Sequence, residues 1–162
     1  MKDNCIQIKR LDSVTDAGFC ADMMANSEPW ITLNRGKQES LEIINDPSRE
    51  VYIAWLQDEI AGFIIVEMSG TFKGYIKSIC VSPSHRNKGI GSKLMSYTEN
   101  RILSETPNVF LLVSSFNTGA LRLYKRLGYE RIGELKDFII EGYSEILMRK
   151  TIGPLTYLGR DA

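Results

Sequence analysis

The chain reads as an α/β domain, and three observations carry that reading. Apolar runs with strand character alternate with segments whose apolar residues recur every three or four positions, the spacing of a helix face. Three of the strand candidates follow one another so closely that an antiparallel meander is the natural way to join them. A run from Ile76 to Val81 passes Pro83 into a basic glycine turn, Arg86-Asn87-Lys88-Gly89-Ile90-Gly91, and then into a helical pattern.

The elements follow in order. Ile6, Ile8 and Leu11 sit among polar neighbours in a short first strand, and Asp12 or Ser13 caps the helix that follows. Residues 14–26 are that helix, with Val14, Ala17, Phe19, Cys20, Met23 and Met24 on one side. Arg35 to Asn45 repeats apolar residues at Leu41, Ile43 and Ile44 until Asp46-Pro47 stops it. Val51 to Leu56 and Ile60 to Met68 flank the short connection Gln57-Asp58-Glu59, and Gly74 to Val81 follows Ser69-Gly70. A helix over 89–104 is broken at Pro107-Asn108, and Val109 to Ser114 is a fully apolar strand. The next helix, 118–127, ends at Gly128, a residue free to take the left-handed conformation just past a helix end. Strands near 129–140 and 143–150, joined at Glu141-Gly142, close the domain.

With 162 residues the chain has the size of one domain, expected over 1–152 with a tail at 153–162 that is an edge extension or disordered. Twenty Lys plus Arg balance twenty Asp plus Glu, so no overall field favours nucleic acid or an anionic membrane. Three cysteines without a CxxC pair point to a reducing compartment and no zinc site, and the single histidine, His85, excludes a multi-histidine metal centre. The N-terminal residues lack the apolar core of a signal peptide, and no apolar run is long enough to span a bilayer. A cytoplasmic protein is the expectation.

The glycine turn asks for an anion. A helix N-terminus leaves about four backbone N–H groups unpaired and carries roughly half a positive charge. Gly89 and Gly91 allow those groups to approach a phosphate closely, and Arg86 and Lys88 add positive charge at the same mouth. A Walker loop would need GxxxxGK[ST], and a dinucleotide fingerprint would need glycine where the chain has Leu94; neither fits. What fits is R-x-x-G-x-G after a strand ending in V-S-P, followed by Ser92, Leu94 and Met95. Further on, Asn117 stands at a strand-to-helix corner before Ala120 to Tyr129, A-L-x-L-Y-x-x-L-G-Y. On that helix Ala120, Leu123, Tyr124 and Leu127 form one apolar face, with Arg122, Lys125 and Arg126 outside.

The two segments, in this order and separation, resemble the acyl-coenzyme A motifs of the Gcn5-related N-acetyltransferase (GNAT) family. The resemblance covers residues 51–150 well and residues 1–50 by element order. It implies the acyl-CoA acyltransferase fold, a mixed, mainly antiparallel central sheet with helices on both faces, and acetyl-CoA as cosubstrate without a metal. It implies that Ile79, Cys80 and Val81 offer backbone groups to the pantetheine arm, and that the amides of Arg86, Asn87, Lys88, Gly89, Ile90, Gly91 and Ser92 hold the pyrophosphate. Asn117 would bond the pantetheine, and Tyr124 would act as the acid toward the departing sulfur. Cys80, in an apolar strand without a neighbouring histidine, reads as a packed small hydrophobe and not a nucleophile, and His85 as a solvated loop residue.

The acceptor side is less legible. Family members that acetylate ribosomal-protein N-termini usually carry a glutamate in the strand before the second motif, where this chain has Leu112. Glu28, Glu67 and Asp137 remain as carboxylates, and Glu67 is the first choice for a base because its strand neighbours the one carrying Ile79. The loop 26–30 is expected as the acceptor rim, faced by 138–143, with Trp30 either a substrate wall or a lid on the core. The expected function is acetyl transfer to a primary amine, leading with a small molecule. A peptide or protein N-terminal or lysine amine is the nearest alternative, and a non-catalytic acyl-CoA-binding regulatory domain is another. Both a monomer and a homodimer are compatible with the sequence.

Overall fold

A computed structural model describes residues 5–159. Its centre is one seven-stranded sheet in the order β1-β2-β3-β4-β5-β7-β6. The meander forms as expected: β2 (Arg49–Leu56), β3 (Glu59–Glu67) and β4 (Tyr75–Val81) pair antiparallel, and β1 (Ile6–Arg10) adds to the β2 edge. The β2–β3 hairpin turns at Gln57, whose φ of 57° is left-handed. β5 (Asn108–Ser114) runs parallel to β4, while β7 (Ser144–Thr151) pairs antiparallel with β5 and with the edge strand β6 (Glu130–Lys136).

Alternation along the central strands explains why both faces carry helices. Tyr52, Ile64 and Val66 pack with Leu94, Met95 and Ile102 of α3 (Ile90–Leu103). Their chain neighbours Val51, Ile53, Phe63 and Ile65 pack on the opposite face with Ala17, Cys20 and Met24 of α1 (Val14–Ala25) and Ile44 of α2 (Lys37–Ile44). A strand sends successive side chains to opposite faces, so a sheet apolar at every position needs cover on both. α4 (Thr118–Arg126) lies with α3, through Tyr124. Ser13 caps α1 by accepting the Asp16 amide at 3.3 Å, and Gly128, at φ 92°, follows the end of α4.

Two irregularities in β4 place the site. Opposite β3, Ile65 pairs with Ser78 and Val66 with Ile76, which leaves Lys77 as the extra residue of a β-bulge. Ile76 consequently packs on the α3 face and Cys80 on the α1 face, although four residues apart they would share a face on a regular strand. Beyond the bulge β4 also leaves β5. Their pairing is confined to Tyr75 with Phe110 and Ile76 with Leu111, so the edge of β4 from Lys77 onward opens into a crevice.

Two expectations change. The strand expected over 129–140 ends at Lys136, and its junction with the next is a loop over 137–143, not a tight turn at Glu141-Gly142. Asp137 adopts φ 51° and accepts the Gly142 amide at 2.7 Å, which closes this loop on itself. The segment after Gly153 makes a 3-10 turn over Leu155–Gly159; residues 160–162 of the expected tail lie outside the described residues. Among the described residues no helix is long and apolar enough to cross a membrane.

Candidate active site

The glycine turn presents a row of free donors. Arg86 is extended, Asn87 and Gly89 take left-handed φ values of 60° and 77°, and α3 begins at Ile90. The Arg86 amide, expected among the pyrophosphate donors, instead donates to the Pro83 carbonyl at 3.5 Å, and the next amide with an acceptor is that of Lys93, which donates to the Gly89 carbonyl at 3.0 Å. Among the described residues the amides of Asn87 to Ser92 have no such partner, so they converge at the positive end of α3 with their hydrogen-bonding capacity unspent. A Cβ at Gly91 would lie 3.8 Å from Leu123 and Val81, ordinary contact distance, so the protein's own packing does not require glycine there. Arg86 folds back, its Nε donating to the Val81 carbonyl at 3.4 Å, whereas Lys88 is exposed.

The β4–β5 crevice continues into a cavity of about 410 Å³. Ile79, Asn117 and Tyr124 line it, which brings together three of the residues singled out in the sequence. Asn117 caps α4, its Oδ1 accepting the Ala120 amide at 3.2 Å, so its Nδ2 is the group left to donate into the cavity. Tyr124 is 6% exposed, and its ring meets Tyr129 edge-on at 5.9 Å. Tyr129 in turn donates to Glu99 at 2.9 Å, and Glu99 accepts from Lys150 at 2.7 Å, a chain that fixes the aromatic pair between α3 and β7. Burial, then the neighbouring Tyr75, pushes the Tyr124 phenol well above its ordinary pKa. At neutral pH it keeps its proton and is a donor.

Cys80 and Val81 continue the β4 edge that β5 leaves unpaired, but neither lines the cavity, and the Val81 carbonyl accepts from Arg86. The Cys80 thiol is buried against α1 and is pushed up to about 11 by burial, which keeps it a protonated hydrophobe. His85 differs from the solvated loop residue expected: it is buried, with Nε2 3.4 Å from Glu59 and Nδ1 3.0 Å from Ser84 Oγ, because the 3-10 turn Pro83–His85 folds it back toward the β2–β3 hairpin.

None of the three carboxylates considered from sequence lines the cavity. Glu67 ends β3 and accepts at 2.9 Å from Nε of Arg49, the residue opposite it at the start of β2, a cross-strand ion pair. Glu28 accepts the Thr32 amide at 3.2 Å, and Asp137 is committed to its loop. The carboxylate that does line the cavity is Glu145, which sequence reasoning missed. It is 4% exposed and accepts from Ser114 Oγ at 2.8 Å. Burial raises its pKa, with the Ser114 hydrogen bond and the Arg35 charge acting against that rise.

Register places Glu145 beside the strand position that lacks a glutamate in this chain. Leu112 pairs with Leu147 and Ser114 with Glu145, so Glu145 is the diagonal neighbour of Leu112 on the same face of the sheet. Its sequence neighbours Ile146 and Met148 gave the strand but no sign that its other face borders a cavity. The walls opposite come from both expected rims, Pro29 and Trp30 on one side and Phe138 and Ile139 on the other. Trp30 is buried in the α1 cluster and also lines the cavity. Among the described residues no group of three or more His, Cys, Asp or Glu is arranged to hold a metal ion.

The arrangement can hold a phosphate-bearing carrier on backbone amides, hold its extended arm along an unpaired strand edge, and present a neutral phenol and a carboxylate at the far end. Residues 19–129 match the model of the Acetyltransferase (GNAT) family. An N-alpha-acetyltransferase of Sulfurisphaera tokodaii is 26% identical over 122 residues, 67% of this chain and 72% of that protein. Among solved structures, the ribosomal-protein-S18-alanine N-acetyltransferase of Escherichia coli superposes with a TM-score of 0.72 at 18% identity, over 93% of this chain and 96% of that one. An aminoglycoside 6′-N-acetyltransferase complexed with coenzyme A also gives 0.72, at 23% identity, over 91% of this chain and 98% of that one.

Proposed function

This chain belongs to the acetyltransferase (GNAT) family, and we propose that it transfers the acetyl group of acetyl-CoA to the primary amine of a small molecule. The observation that carries the proposal is the continuity of the site: free amides at 87–92, the unpaired edge of β4, and Tyr124 in one cavity with Glu145. Of the three relatives named above, one is an N-alpha-acetyltransferase, one acetylates a ribosomal-protein alanine and one an aminoglycoside, so the acceptor is argued from the cavity. Residues 29–35 and 138–139 wall it on two sides, and an acceptor of a few non-hydrogen atoms fits its roughly 410 Å³ better than a chain lying across the surface.

Each residue has a part in the transfer. The amides of 87–92 hold the pyrophosphate, and the β4 edge at Ile79 to Val81 orients the pantetheine with the Asn117 amide. Acetyl-CoA supplies the activated carbonyl. The amine must lose a proton before its nitrogen attacks, because an alkylammonium with a pKa near 10.4 is only about one part in 10³ neutral at pH 7. Glu145 takes that proton, a role suited to a carboxylate whose pKa burial has raised. A C–N bond forms, the nitrogen gives up its second proton to water, and the C–S bond breaks. Tyr124 donates a hydrogen bond to the departing sulfur that strengthens as charge develops there. Because its phenol holds its proton more tightly than a thiol does, the thiolate draws its final proton from water or from Glu145.

The test is amine-dependent release of the coenzyme A thiol across a panel of small amines and peptide N-termini. Release with small amines, accompanied by the acetylated product in the mass spectrum, is the expected result. Release with peptides alone would move the acceptor to a protein. Tight acetyl-CoA binding without release from any amine would leave a binding domain.

A further inference from the structure

The acceptor cavity holds two cations that the transfer of an acetyl group does not use. Arg35 comes from the segment after α1, where its amide donates to the Trp30 carbonyl at 2.9 Å, and Lys77 is the extra residue of the β4 bulge. Both line the cavity with Glu145, and both are partly buried. Three other partly buried cations are neutralised, Arg49 by Glu67, Arg101 by Glu50 and Lys150 by Glu99, at 2.9, 2.7 and 2.7 Å; Arg149, outside this cavity, is partly buried without such a pair among the described residues. Among the described residues neither Arg35 nor Lys77 has a carboxylate within 4.0 Å.

The two charges act on one space. The Arg35 charge reaches Glu145, Tyr75 and Lys77 and lowers the proton affinity of all three. Lys77 is pushed below the ordinary lysine value first by burial; the Glu67 charge acts against that fall, and Arg49 and then Arg35 add to it. Two cations sharing a partly dry cavity repel one another, and an anion placed between them would relieve the repulsion and recover part of the lost hydration.

We infer that the acceptor is an amine that carries an anionic group, a carboxylate or phosphate a few bonds from its nitrogen, held by Arg35 and Lys77 while Glu145 faces the amine. This inference rests on the acetyltransferase reading and narrows its acceptor. An acceptor of this kind is zwitterionic, and each of its charges meets the opposite charge in the cavity. A polycationic amine would place extra positive charge against Arg35 and Lys77. The bulge is what makes the arrangement possible, since without it the β4 residues near the crevice would keep strict alternation and Lys77 would pair in the ladder with Ile65 or Val66.

The experiment compares kcat/KM for matched amines with the wild-type protein: an ω-amino carboxylate, its neutral carboxamide, the diamine of the same length, and the corresponding amino-phosphate. An acidic peptide and its amidated counterpart form a separate arm, so that a free small molecule is told apart from a peptide N-terminus. The carboxylate or phosphate amine should exceed its neutral analogue by about tenfold or more, the scale of one charge-assisted contact. Arg35→Gln should bring that ratio close to one, and Lys77→Gln should reduce it. If Arg35→Gln does not fold, the Lys77→Gln ratio and the wild-type ranking decide. Equal or better turnover of the neutral amine or diamine by wild type would overturn the inference and leave the acetyltransferase reading standing. An unchanged ratio in both folded variants would overturn it as well. Absence of thiol release from every amine, with acetyl-CoA binding intact, would instead overturn the acetyltransferase reading and this inference with it.

Discussion

The two halves of the proposed site, one for the coenzyme and one for the acceptor, are built by different means. From Ile79 to Ser92 the working groups are backbone: an unpaired strand edge, then consecutive free amides at a helix start. In the acceptor half they are side chains, Arg35 from a loop, Lys77 from a bulge, Tyr124 from α4 and Glu145 from β7. A backbone site depends on local conformation, which left-handed Asn87 and Gly89 announce in the chain itself. A side-chain site depends on which distant segments meet. The first can persist while the second is rebuilt for another acceptor, with the same chemistry.

Substitutions can break or sharpen this contrast. The largest effect is expected at the junction of the halves: Tyr124→Phe keeps the ring against Tyr129 and removes only the donor, so turnover should fall by about 10²- to 10³-fold, the scale of acid or oxyanion-type stabilisation. Acetyl-CoA affinity measured by calorimetry should hold. A Phe variant with wild-type turnover would return Tyr124 to the core.

Glu145→Gln should come next, lowering kcat at pH 7 by about 10²-fold. Wild-type rate should rise with pH through the raised carboxylate pKa, and that limb should vanish in the variant; a shared limb would acquit Glu145. Stability should move the other way. A carboxyl whose folded pKa is raised favours folding at low pH and loses that contribution as pH rises through the folded value, so wild-type stability at Glu145 falls toward neutrality. Glu145→Gln should therefore have a higher Tm than wild type at pH 7, with the gap closing in acid, which thermal scans at two pH values would read.

In the coenzyme half, Gly91→Leu fills space beside the free amides and should weaken acetyl-CoA about tenfold or more by calorimetry, the scale of losing charge-assisted contacts to a phosphate. Circular dichroism should match wild type. Unchanged affinity would remove the turn from the binding site. The smallest effect belongs to Glu67→Gln. Its carboxylate serves Arg49 outside the cavity, so turnover and its pH limb should stay within about twofold while stability drops modestly, the usual result for a part-exposed ion pair. A large loss of turnover there would bring Glu67 back into the chemistry.

Legibility followed the same division. The meander, the glycine turn and the helices themselves were readable because each rests on short-range signals: alternation, hairpin connections, helical spacing and the glycines at 89 and 128; their placement on both faces came from the family resemblance. Glu67 was an attractive base because β3 does neighbour β4, yet neighbouring strands say nothing about where a side chain at the far end finds its partner. Glu145 left no mark because a glutamate alternating with Ile146 and Met148 reads as the solvent side of a half-buried strand.

By itself, then, the sequence determined the strand-turn-helix that can hold a pyrophosphate, the Asn117–Tyr124 helix that closes the crevice, and the family, because these depend on residues close in the chain. The tertiary structure alone decided which carboxylate and which cations share the acceptor cavity. That choice turns on a bulge at Lys77, on the register that sets Glu145 beside Leu112, and on the segment that brings Arg35 across from them. A one-residue change in strand register reverses every facing side chain, and no local pattern of residues records which register the sheet adopts when both faces are apolar.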